Sequence, residues 1–171
     1  MKRLASPIKI IFILMAIVIS ITTIQAQNSK ADKKAAKRTA IKNMVDSQRY
    51  VFYANTAMPM SGRTVQLTSS YDFKVTKDTV NSYLPYYGRA YTADIGRTQS
   101  PLEFILTKFD YDVKEGKSGG WTVTIKPKES DIQSVYISIS EDGYATLQVT
   151  PTSRQGISFY GYIDAPKPRK K

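Results

Sequence analysis

Neither cysteine nor histidine occurs among the 171 residues. Their absence excludes the usual zinc sites, histidine general bases, cysteine nucleophiles and Ser-His-Asp triads, and leaves no disulfide to support the fold. Ser153 and Ser158 therefore have no histidine to activate them, and no serine–lysine motif is present. Long hydrophobic runs are scarce as well. The one unbroken run, Ile10 to Ile19 extended by Ile21, falls short of the roughly 20 apolar residues that span a bilayer. It follows Lys2, Arg3 and Lys9 and precedes small and polar residues ending in Ile24-Gln25-Ala26. A basic start, a short apolar core and a small residue before the cut read as a secretory signal peptide over residues 1–26; an uncleaved signal anchor is the alternative. No cysteine follows the apolar core, so a lipoprotein is excluded and the expected location is the periplasm.

The chain has little acid to balance its base, with 25 Lys and Arg against 14 Asp and Glu and a net charge of +11. The excess sits at the ends: three positives lie in residues 1–26, six in 30–42 and four in 167–171. Residues 43–166 hold twelve positives and thirteen acids, so the body is neutral. Basic ends on a neutral body read as solubility handles or as contacts with an anionic envelope surface. A nucleic-acid partner is not expected of an exported protein.

After the cut, 145 residues remain of the 171, enough for one domain with a core of its own. Residues 27–48 are expected to form a basic helix, since Ala31, Ala35, Ile41, Met44, Val45 and Gln48 fall near one face while lysines fill the rest. Ser29 with Asp32 is a weak capping box. From Arg49 the period becomes two. Val65 and Leu67, then Tyr71, Phe73 and Val75, alternate with polar residues. So do Leu102, Phe104 and Leu106, and Phe109, Tyr111 and Val113. Trp121, Val123 and Ile125 come next, then Val135, Ile137 and Ile139, then Ala145, Leu147 and Val149. Last come Ile157, Phe159, Gly161 and Ile163. Eight or more short strands, each with one apolar face, predict an antiparallel sandwich or barrel over residues 49–165, with residues 166–171 a basic tail. An eight-stranded barrel is just wide enough to be filled by side chains or to hold one small ligand.

Thr79 to Tyr91, TVNSYLPYYGRAY, is the densest aromatic stretch. Pro85 and Gly88 forbid one continuous central strand, so the expectation is a strand over 79–84, a bend over 85–88 and an extended piece over 89–93. Tyr83, Tyr86, Tyr87, Arg89 and Tyr91, with Arg154, could line a ligand mouth, because tyrosine joins an apolar body to a polar tip and arginine clamps carboxylates or phosphates. The alternative is a structural corner in which arginine satisfies buried carbonyls; Arg154 and Gln155 likewise could simply pin the register of the last strand. Asp110 and Asp112 share one strand face opposite Phe109, Tyr111 and Val113, which points them to solvent rather than into an acid–base site. No metal site is expected, since a calcium loop needs denser oxygen ligands. Trp121 alternates inward and reads as core.

Four segments, PMSGRTVQLTSSYDFKV (59–75), KDTVNSYLPYYGRAY (77–91), GWTVTIKP (120–127) and SRQGISFYGYI (153–163), together resemble domain-of-unknown-function family 4251, small exported proteins of the Bacteroidota. The basic residues after the signal peptide resemble it too. The resemblance implies an all-β, lipocalin-like barrel and carries no activity or cofactor with it. Two readings of function follow. One is a periplasmic binding or accessory module holding a small apolar or acidic amphiphilic ligand in its barrel. The other is a structural or interaction protein of the envelope whose barrel is filled. An enzyme is not expected.

Overall fold

The computed structural model describes residues 31–91, 100–116 and 119–167; the expected signal peptide, the capping box at Ser29 and the tail beyond Lys167 lie outside them. The chain divides into two compact units, Met1–Lys37 and Arg38–Lys171. In the first, the described residues 31–37 are helical and exposed. In the second, helix continues over 38–46 and nine strands follow: β1 (Tyr50–Pro59), β2 (Val65–Val75), β3 (Val80–Tyr83), β4 (Glu103–Leu106), β5 (Phe109–Glu115), β6 (Trp121–Pro127), β7 (Ile132–Ile139), β8 (Tyr144–Pro151) and β9 (Ile157–Asp164).

All nine belong to one antiparallel sheet in the order β4-β3-β2-β1-β9-β8-β7-β6-β5. Eight antiparallel steps separate β4 from β5, so these two edge strands point the same way. Only Thr107 and Lys108 lie between them, whereas side-by-side parallel strands need a crossover of about a dozen residues. They are therefore successive lengths of one broken strand. Its first half pairs with β3, its second half with β6, and the Lys108 carbonyl at the break still accepts from the Lys128 amide at 3.0 Å. The sheet is thus wrapped into a nearly closed barrel of eight staves, as the alternation and the family resemblance predict.

β1 is the strand the alternation does not reveal. Tyr50, Val51 and Phe52 are all buried, and between Ala54 and Thr56 the register shifts against both neighbours. A bulge at Asn55 moves the inward set from Tyr50, Phe52 and Ala54 to Ala57, which breaks the period of two. Inward residues of all the staves, Trp121 among them, join one contiguous buried cluster, with Tyr50, Phe52, Phe73 and Phe159 its largest fully buried side chains. Small residues make room for large ones. A Cβ on Gly161 would stand 1.9 Å from the Tyr53 carbonyl oxygen and 3.0 Å from Cζ of Phe52, so only glycine lets β9 lie this close to β1.

Within the second unit, the end of the helix plugs the barrel. Ile41 and Val45 are buried, and Ile41 lies over Gly143 of the β7–β8 hairpin, where φ is +81°. The helix ends with Gln48 at φ 53°, its amide donating to Val45 (3.1 Å) and that of Arg49 to Met44 (3.1 Å), a Schellman closure on a non-glycine residue. Gln48→Gly should relieve the left-handed backbone cost and raise stability by about 0.5–1 kcal/mol, read from urea midpoints; a loss of stability would contradict this.

Below the plug, the Tyr111 hydroxyl donates to the Val45 carbonyl at 3.2 Å, so Tyr50, 3.3 Å away, donates to Tyr111. Burial raises both phenols, Tyr50 well above its usual range and Tyr111 to about 12. An unfolded tyrosine titrates near pH 10, so the native state binds more protons between about pH 10 and 12 and stability falls as pH rises through that window. The stabilisation is whole below pH 10. Tyr111→Phe should lower the urea midpoint at pH 8 yet lose less than the parent between pH 8 and 11; equal losses would contradict the assignment.

Candidate functional site

The Tyr-rich stretch folds as a corner. β3 ends at Tyr83, and Leu84 and Pro85 turn inward and are buried. Hydroxyls satisfy the carbonyls that the turn releases: Ser100 Oγ donates to Leu84 O (2.7 Å) and Ser82 Oγ to Leu102 O (2.6 Å). Tyr86 then folds back over Gly88, where a Cβ would stand 2.5 Å from its hydroxyl oxygen. That hydroxyl lies 2.9 Å from the Gln155 carbonyl and 3.0 Å from the Arg89 carbonyl, positioned to donate to either.

Of the expected extended piece after the bend, a single isolated bridge at Ala90 is present and Tyr91 already bends away; residues 92 and 93 lie outside the described ones. Ala90 bridges Arg154, the Tyr91 amide donates to Ser153 O (3.0 Å) and the Gln155 amide to Arg89 O (3.0 Å). Gln155 Oε1 accepts from Ser61 Oγ at 2.9 Å, tying the corner to the β1–β2 connection. The Arg154 guanidinium sits over the Tyr86 ring, 5.6 Å from its centroid. Burial raises the Tyr86 phenol, while the Arg154 charge pulls it down.

Of the six candidate residues, Tyr86, Arg89, Tyr91 and Arg154 are thus gathered at one bridge. Tyr83 is not among them: it lies on β3 opposite Asp72 and Glu103, stacked on Tyr71 at 5.6 Å. Tyr87 is exposed. The Tyr86 hydroxyl meets the carbonyls at the corner, and the Arg89 residue, which the alternative reading had satisfying buried carbonyls, is exposed. Tyr86→Phe should therefore cost about 1–2 kcal/mol, while Arg89→Met should stay within about 0.5 kcal/mol. Thermal melts of the two variants check the order; a larger loss from Arg89→Met would contradict it.

Asp110 and Asp112 face solvent as expected, paired with Lys128 (2.9 Å) and Lys114 (4.0 Å). Among the described residues no cluster of acidic side chains is arranged to hold a metal ion, and no helix is long and apolar enough to cross a membrane. The sequence reading passed over one feature, the exposed tyrosines of β8 and β9, Tyr144, Tyr160 and Tyr162. Their signal is legible: in ISFYGYI, aromatics occupy the phase of the alternation that elsewhere carries polar residues.

A family model described as "Domain of unknown function (DUF4251)" matches residues 32–163. The fold is similar to the crystal structure, at 1.95 Å resolution, of a DUF4251 family protein from Bacteroides eggerthii DSM 20697, with a TM-score of 0.57, 16% sequence identity, and 77% of this chain and 91% of that chain covered. No curated protein matches the chain.

Proposed function

We propose, from the premise that the chain belongs to the DUF4251 family, that it is an exported, non-catalytic protein of the cell envelope that acts through its outer surface, its barrel being filled. The observation that carries this reading is the contiguous cluster of buried side chains running through the interior, to which every stave contributes. A ligand-holding barrel needs that space for its cargo. The signal-peptide pattern supports export, and the basic ends offer electrostatic attraction to an anionic envelope surface.

A second reading is favoured by the corner. There the Arg154 guanidinium lies over the Tyr86 ring beside the bridge to Ala90, so the headgroup of an acidic amphiphile would meet a cation against an aromatic ring, on the surface rather than inside the barrel.

Fractionation and vesicle binding test the principal reading together. The mature protein should start at Gln27 and be released by osmotic shock. Deleting residues 167–171 should weaken co-sedimentation with phosphatidylglycerol vesicles by up to about 1 kcal/mol for each charge removed. An intact N-terminus in the membrane fraction would overturn export. Equal binding of both forms would leave the basic tail with no role at the surface.

A further inference from the structure

The barrel wall is not uniform in charge. On β5 and β6 the outward positions include Asp110, Asp112, Lys114 and Lys126. On β8 and β9, outward positions from Tyr144 to Thr150 and from Ser158 to Tyr162 carry no charge; they offer hydroxyls, an amide and tyrosine rings. Tyr144 lies opposite Tyr162, and Tyr162 opposite Tyr53. Three rings therefore line up across three neighbouring strands, about 10 Å from first to last. The rings of Tyr53 and Tyr162 are 5.4 Å apart and tilted by 32°, and Lys167 lies over Tyr53 at 5.5 Å.

Tyr160 stands opposite Thr146, one position along the same face. Tyr144 and Tyr160 are 68% and 55% exposed, and with Ser138, Ser140 and Thr146 they bound a shallow cleft of about 330 Å³. A single exposed aromatic needs no explanation, but several contiguous ones mark an interaction site. These stand on barrel strands rather than loops, so their spacing is fixed before any partner arrives.

We propose that this face binds a neutral glycan. Sugar rings would stack on Tyr144, Tyr160 and Tyr162, and their hydroxyls would bond to Ser138 and Thr146. The proposal names the partner class for the outer-surface function argued above and rests on that reading. A pyranose presents a patch of C–H bonds on its face and hydroxyls around its rim. The negative face of a tyrosine ring attracts the first, and serine and threonine, able both to donate and to accept, match the second. A polyanion would need neutralising cations on the face, and a lipid surface would select Trp, Phe or Leu beside Lys and Arg. Neither set is found on these outward positions of β8 and β9.

Affinity electrophoresis of the purified chain in gels containing galactomannan, hydroxyethylcellulose or yeast mannan tests the proposal, with alginate as the acidic control. Retardation is expected in at least one neutral gel. Tyr144→Ser with Tyr160→Ser should weaken it at least about tenfold, the loss of stacking on two rings, with an unchanged melting temperature. Tyr136→Ser, on β7 outside the row, should leave it intact. No retardation in any neutral gel would overturn the proposal, as would retardation that survives the double substitution. Tyrosine-dependent binding confined to alginate, to vesicles or to a second copy of the chain would overturn it equally. The filled-barrel reading fails by another route, a small molecule released on denaturation, so either can fall alone.

Discussion

Substituting alanine for Gly161 is expected to lower the melting temperature by about 10 °C or more, from an overpacking cost of at least about 3 kcal/mol. The added methyl would sit 1.9 Å from the Tyr53 carbonyl oxygen, a backbone atom that cannot swing aside. Relief requires β1 and β9 to part at the Ala54–Gly161 pair, beside the bulge where both registers shift. The Phe52 ring blocks the other direction. A domain of this size has only about 5–15 kcal/mol to lose. The neighbouring substitution Tyr162→Ala removes far more atoms yet should move the melt by only about 2–4 °C, because that side chain faces solvent. Melts of both variants, followed by circular dichroism, decide the matter: a small shift for Gly161→Ala would mean that β1 and β9 are not packed as described.

Gly161 also marks how far the sequence could be read. Ile157, Phe159, Gly161 and Ile163 keep strict alternation, and their inward face is legible without a structure. The glycine's reason is not, because the ring it accommodates belongs to Phe52, more than a hundred residues away. β1 escaped the pattern on two physical grounds: its first three residues are buried on both faces, and the Asn55 bulge shifts the phase midway. β4 and β5 were legible as apolar faces, but their fusion into one broken strand follows only from the pairing order. At the corner, Pro85 and Gly88 announced a bend. Nothing local said that the Tyr86 hydroxyl rather than an arginine would meet the Arg89 and Gln155 carbonyls, since Gln155 lies 69 residues on.

Truncating Phe159 should have the second large effect and bears on function. Phe159 is a fully buried member of the cluster, so Phe159→Ala should cost about 3–5 kcal/mol, or roughly 10 °C or more in melting temperature. The void it leaves would be lined by apolar side chains, and such voids stay dry and accept small apolar guests. The variant should therefore be stabilised by benzene as mass action requires, whereas the parent should not respond. Equal stabilisation of both would show that the parent already has room inside.

The central claim, a barrel filled by its own side chains, is tested most directly by mass spectrometry of the protein isolated from its native cells without denaturation. The mass of the folded species should equal that of the polypeptide alone, and denaturation should release nothing. A stoichiometric adduct that leaves only when the fold is lost would contradict the account.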